Sequence, residues 1–177
     1  MNKNLVISLI GHDRVGLVEE LSKLVVESNG NIEASRMAHL GGEFAILMYI
    51  SLPPESHDQL NVGIQKLSNE GFKIIITETK HTDPSKYTGW LPYRIEVTGA
   101  DHEGIIHKVS QQIAGFGINI ESMDTNVVKA PISGTPLFTL SAIISVPPNQ
   151  AQHDLSEKLQ LVADELNIEI EISPHKG

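Results

Sequence analysis

The eight residues Gly11-His12-Asp13-Arg14-Val15-Gly16-Leu17-Val18 return 88 positions later as Gly99-Ala100-Asp101-His102-Glu103-Gly104-Ile105-Ile106. Each copy follows an apolar, strand-like run and opens a segment whose apolar residues fall at helical spacing. The correspondence continues past the turn. Asn31-Ile32-Glu33 matches Asn119-Ile120-Glu121 at the same offset, and Phe44 through Pro53-Pro54 matches Phe138 through Pro147-Pro148 at an offset of 94. The second copy therefore holds six extra residues (94 less 88) between Asp124 and Leu137. Two copies of about 80 residues are too few for a solenoid array, so the repeat predicts two related domains in tandem. We place them at 1–80 and 92–177, with a linker at 81–91.

Within each copy the pattern reads β-α-β-β-α-β, a ferredoxin-like unit of the α+β class. Leu5 to Ile10 is a β-branched run expected to be buried on both faces or nearly so. Leu17, Val18, Leu21, Leu24 and Val25 form a helix stripe stopped by Asn29-Gly30, with Gly suited to the left-handed position. A strand from about Asn31 to His39 turns at Gly41-Gly42, a hairpin signal, into Phe44 to Ile50. After Pro53-Pro54, Ser56 and Gln59 have capping-box spacing for a helix carrying Leu60, Ile64 and Leu67. Phe72 to Thr77 completes the first sheet. Helices on one face leave the other face of such a sheet available for an interface.

Turn and breaker residues mark the stretch from Lys80 to Pro92, where Tyr87, Trp90 and Leu91 offer something to bury. In the second copy, Tyr93 to Thr98 alternates, so one face of that strand is wetter than its counterpart. Ile105, Ile106, Val109, Ile113 and Ala114 make the helix stripe, ended by Gly115 and Gly117. The extra residues fall in the hairpin tip 129–136, whose two prolines prevent full pairing and mark an exposed loop and partner contact. Asn149 is expected to cap a helix bearing Leu155, Leu159 and Val162, before a closing strand from Leu166 to Ile172.

The chain carries 13 basic and 22 acidic residues, a net charge of −9, with no basic stripe interleaved with aromatics. That is the wrong sign for gripping a phosphate backbone, so direct nucleic-acid binding is not expected. With no cysteine, disulfides, thiolate metal sites and thiol nucleophiles are excluded. The apolar run Leu5 to Ile10 is too short for a signal-peptide core or a membrane span, which leads us to expect a cytoplasmic protein with no membrane partner. Gly115-Phe116-Gly117 sits at a helix end and lacks the third Gly of a dinucleotide loop, so no cofactor is expected. None of the eight histidines shows the i, i+4 spacing of a helical zinc site, and no metal site is expected. His12 and His102 flank the two Asp residues, but His12 aligns with Ala100 and His102 with Arg14. A shared catalytic role would not change position between copies, so no catalytic residue is assigned.

What the repeated turn can do follows from its residue types. Asp13 and Asp101 are placed to accept hydrogen bonds from N–H groups of the first helical turn. A helix N-terminus with Gly beside it can receive a small anion. One copy alone would read as a tight turn and cap; two in the same context point to binding.

At Asp13-Arg14-Val15-Gly16-Leu17-Val18, with Asn31-Ile32 behind it, the chain resembles an ACT domain, and the resemblance covers both halves. Two such domains with no attached enzyme most resemble the glycine cleavage system transcriptional repressor family. The resemblance implies a small amino acid, glycine or similar, bound at the turn between paired domains of a homodimer. It also implies contact with a LysR-type transcriptional activator rather than with DNA. Carried over by motif, the ligand-binding positions are Asp13, Arg14, Val15, Gly16, Leu17, Asn31 and Ile32, and in the second copy Asp101, His102, Glu103, Gly104, Ile105, Asn119 and Ile120. The N–H groups of Val15-Gly16-Leu17, with Arg14 nearby, would hold the ligand carboxylate; Asp13 and the Asn31 amide oxygen would accept from its ammonium. Glu103, standing where Val15 stands, would disfavour a carboxylate at the second turn. The competing expectation is an ACT module that binds no ligand and only mediates contacts.

Overall fold

A computed structural model describes residues 2–79, 88–130, 134–148 and 152–175. The first unit, Met1–Thr82, contains β1 (Lys3–His12), α1 (Leu17–Glu27), β2 (Asn31–Leu40), β3 (Glu43–Leu52), a short 3-10 turn at Pro54–Ser56, α2 (His57–Asn69) and β4 (Lys73–Glu78). The second, Asp83–Gly177, contains β5 (Leu91–Ala100), α3 (Ile105–Gly115), β6 (Asn119–Lys129), β7 (Pro136–Val146), α4 (Gln152–Leu166) and β8 (Ile168–Pro174). Both sheets are antiparallel, ordered β2-β3-β1-β4 and β6-β7-β5-β8. This is the βαββαβ unit twice, as the repeat predicts.

One face of each sheet makes the core. In unit 1, Leu5, Ile7 and Leu9 of β1 and Ile46, Met48, Ile50 and Leu52 of β3 pack with Leu17, Leu21 and Val25 of α1 and Leu60, Ile64 and Leu67 of α2. Unit 2 repeats this with Ile95 and Val97, Leu140 to Val146 at alternate positions, Ile105, Val109 and Ile113, and Leu155, Leu159 and Val162. The expectation that β1 is buried on both faces is corrected. Its burial alternates, and Val6, Ser8 and Ile10 lie on the opposite, less buried face, which no helix covers among the described residues of this unit. An apolar run reads alike whether both faces or one are buried, because hydrophobicity does not record what packs on the outer side.

Two local expectations also change. The left-handed residue ending α1 is Asn29 (φ 52°). Gly30 is instead needed for close approach, since a Cβ there would lie 3.0 Å from both Val25 Cγ1 and the Val25 carbonyl oxygen. Ser56 is the N-cap of α2 but makes no side-chain capping bond, and Gln59 Nε2 donates to the Glu27 carbonyl (3.0 Å) rather than back to the cap. Gly41 and Gly42 do form the hairpin turn, both at positive φ between the paired Leu40 and Glu43. The assigned caps and tips at Asn149 and at residues 131–133 lie outside the described residues.

The repeated Asn-Ile-Glu has a structural cause. Pairing slips between Ile32 and Ala34, and again between Ile120 and Ser122, leaving a bulge at Glu33 and at Glu121. In each copy the Asn amide donates to that Glu, at 3.1 Å in unit 1 and 2.8 Å in unit 2.

Candidate functional site

Strand β1 ends at His12 and α1 begins at Leu17, so four residues must turn the chain onto the core face. Arg14 to Leu17 do so as a hydrogen-bonded turn, the Leu17 N–H donating to the Arg14 carbonyl at 3.3 Å. Gly16 has φ 90° and ψ −4°, the third position of a type II turn, and Gly104 repeats it at φ 91° and ψ −5°. Leu17 and Ile105 anchor the turns in the two cores, being 1% and 2% exposed. Val15 is wholly exposed.

A Cβ built on Gly16 would meet nothing within 4 Å. Backbone conformation alone therefore selects Gly there. Gly16→Ala is expected to cost roughly 1–2 kcal/mol, and Gly16→Asn less, because Asn tolerates the left-handed region. Urea unfolding of both variants measures the difference.

The aspartates do not cap. Neither α1 nor α3 receives a side-chain bond at its N-terminus. Asp13 Oδ2 instead lies 3.0 Å from His39 Nε2, joining the turn to the β2–β3 hairpin, and the His39 ring packs edge-on to Phe44. His12 reaches Glu43 of the same hairpin at 3.5 Å. Of the first-turn N–H groups of α1, that of Leu17 donates to the Arg14 carbonyl, and none has a side-chain cap among the described residues.

Arg14 turns back along the protein. Its Nη2 lies 2.5 Å from Glu20 Oε2 and 2.9 Å from Glu70 Oε2, and its guanidinium sits 5.5 Å above the Phe72 ring. The hydrogen bond to Glu20, and after it the one to Glu70, raise the arginine's pKa. Phe72 in turn covers Gly11, where a Cβ would come within 2.5 Å of the ring. Strand pairing makes Ile168 the counterpart of Phe72, since Ile10 pairs with Lys73 and Thr98 with Glu169. Ile168 covers Gly99 in the same way, at 2.5 Å.

His102, in the place of Arg14, makes the equivalent tie to the end of the second helix. Its ring nitrogens lie 3.1 Å from the Glu103 carbonyl oxygen and 3.0 Å from that of Leu166. Lys108, the counterpart of Glu20, pairs with Glu165. Beside Gly99 lies an open cleft of about 440 Å³, lined by Thr98, Leu137, Asn167, Ile168 and Glu169. Sequence reasoning missed this cleft, and the offset of 96 that sets Ile168 in the place of Phe72 is revealed only by the strand register.

The turn brings together Asp13, Arg14, Val15, Gly16 and Leu17, and likewise Asp101, His102, Glu103, Gly104 and Ile105. It does not bring Asn31 and Ile32, or Asn119 and Ile120, to them within a unit. Asn31 pairs with Ser51, which pairs with Asn4, eight residues back along β1 from His12. That is about 27 Å of extended strand. Asn119 stands likewise across from Ser145 and Pro92. Ile32 and Ile120 pack on the cores.

Against known proteins, a family model for the ACT domain matches residues 3–74. A UPF0237 protein of Methanococcus maripaludis is 32% identical over 88 residues, 48% of this chain and 94% of that protein. One from Streptococcus mutans is 31% identical over 78 residues, 44% of this chain and 82% of that protein. Over the full length, the chain is similar to a protein of unknown function from Galdieria sulphuraria at 27% identity and a TM-score of 0.85, covering 99% of this chain and 100% of that one. It also shares its fold with a candidate glycine cleavage system transcriptional repressor, at 23% identity and a TM-score of 0.71, covering 100% of this chain and 99% of that one.

Proposed function

This chain belongs to the ACT-domain family, with the fold written twice, and from that premise we propose that it is a regulatory protein that senses a small amino acid at the turn after β1. The observation that carries the reading is the turn itself. It is built twice with the same Gly conformation, the aspartate of the first copy is engaged by His39, and beyond Leu17 the N–H groups at the helix start have no side-chain cap among the described residues. A ligand carboxylate would accept from those N–H groups around Val15, Gly16 and Val18. Its ammonium would lie by the free side of Asp13. Arg14, held by Glu20 and Glu70, positions the turn rather than reaching the ligand. Asn31 and Ile32, at the far end of the sheet, could complete the site only from another domain; the same holds for Asn119 and Ile120.

Glycine is the ligand we propose, with the liganded state altering contact with a transcriptional activator of the LysR type. The full-length likeness in fold to a candidate repressor of the glycine cleavage system supports this, and the net charge of −9 favours a protein over a nucleic-acid partner. Five heavy atoms at a ceiling of about −1.5 kcal/mol each limit glycine to a Kd of a few micromolar at best. At the second turn a specific observation favours the rival reading of a ligand-free contact module. Glu103 brings an exposed acid to the place of Val15.

Calorimetric titration with glycine, serine and other amino acids tests the proposal, alongside Val15→Glu. That variant copies the second turn at a wholly exposed position. We expect saturable binding in the parent protein and at least an approximately tenfold loss in the variant, about 1.4 kcal/mol, with unchanged thermal stability. No binding at millimolar ligand would overturn the reading in favour of the contact module, and binding untouched by Val15→Glu would overturn the placement of the ligand at this turn.

A further inference from the structure

The sheet faces not covered by helices differ in a regular way. In unit 1 one row across the strands reads Arg36, Leu47, Ser8, Ile75; its counterpart in unit 2 reads Asp124, Ser141, Glu96, Glu171. The next row places Lys73 beside Ile10 in unit 1 and Glu169 beside Thr98 in unit 2. Charge is thus reversed at equivalent positions on both outer strands: Arg36 against Asp124, and Lys73 against Glu169. All four side chains are exposed, and none makes an ion pair among the described residues.

The faces have matching unmet needs. Unit 1 leaves Leu47, Ile75 and Ile10 at 51, 66 and 49% exposure, with Tyr49 beside them. Its acids lie at the two ends, where Glu33 accepts from Ser51 Oγ and Glu43 faces His12. Unit 2 sets Glu96 directly across from Glu171, a like-charge pair that destabilises a sheet unless a cation stands over it. Arg94, the cation of that face, donates to Ser141 Oγ at 3.2 Å.

We propose that the open sheet face of unit 1 docks on the open sheet face of unit 2 in a second copy of this chain, two such contacts closing a two-fold dimer. Stacked sheets lie about 10 Å apart and interdigitate their side chains. Because unit 1 carries its cations on both outer strands and unit 2 its anions on both, either direction of stacking places opposite charges together. Pairing of like units would set Arg36 and Lys73 over themselves, or four carboxylates over four. The dimer requires no amino acid and stands apart from the ligand reading.

Sedimentation equilibrium of the full chain tests this, with two double reversals, Arg36→Glu with Lys73→Glu and Asp124→Lys with Glu169→Lys. Each is expected to raise the dimer dissociation constant about tenfold or more. Mixing the two variants restores both contacts and should recover a heterodimer near the parent affinity. Circular dichroism checks that these exposed changes leave the fold in place, and added salt should weaken the parent dimer. A parent protein that stays monomeric, a dimer indifferent to both reversals, or a mixture that does not recover would each overturn the proposal.

Discussion

Phe72→Ala is expected to destabilise unit 1 by about 3–5 kcal/mol, the range for emptying a buried aromatic site. The ring is 7% exposed and closes the end of the core where β4 begins. It lies over Gly11 on one side and beneath the Arg14 guanidinium on the other. Its loss leaves a cavity beside a residue with no side chain to fill it, so little collapse is available to soften the cost. For a unit of this size, that corresponds to a fall in Tm on the order of 10–40 °C, measurable by calorimetry and by urea unfolding. Phe72→Leu should retain much of the stability while removing the aromatic floor of Arg14. A change below about 1 kcal/mol for the alanine variant would show that the ring is not the keystone of this end.

Gly99→Ala should cost unit 2 about 1–3 kcal/mol by overpacking. The added methyl would meet Ile168 Cγ2 at 2.5 Å, its Cβ at 2.9 Å and its Cα at 3.1 Å. With the backbone itself so close, relief requires moving β8 from β5, whose pairing starts at this residue. At Gly11 the near atoms all belong to the Phe72 ring, which can shift by tenths of an ångström. Gly11→Ala is therefore expected to be the milder of the two, and comparing their urea midpoints tests the ordering. Equal effects would mean that the ring is as immobile as the β8 backbone.

These glycines show how far the sequence is legible. Gly11 and Gly16 stand in one motif and look interchangeable as turn residues. Gly16 is required by φ 90° in open space, whereas Gly11 is required because a ring lies against its backbone. The first reason is local, and the type II turn follows from neighbours in the chain. The second depends on Phe72, which is distant in sequence, and no local pattern carries it. Asp13 is similar. As a residue before a helix it reads as a cap, but His39 from another strand claims it. Asn31 beside the turn in the family motif reads as one site, and the antiparallel register puts a strand's length between them.

The sequence by itself determined the repeat, the order of elements in each copy, the hairpin at Gly41-Gly42 and the identity of the core, because these depend on periodicity and on backbone preference over short spans. Only the tertiary structure decided which groups at the turn are already engaged, how Phe72 and Ile168 distinguish the two ends, and which side chains share the uncovered faces. Those depend on register between strands, and register sums small preferences over many residues before any one contact is set. The charge reversal between the two faces was present in the sequence throughout, but the offset of 96 needed to align Lys73 with Glu169 becomes visible only when β4 and β8 are laid beside their partners.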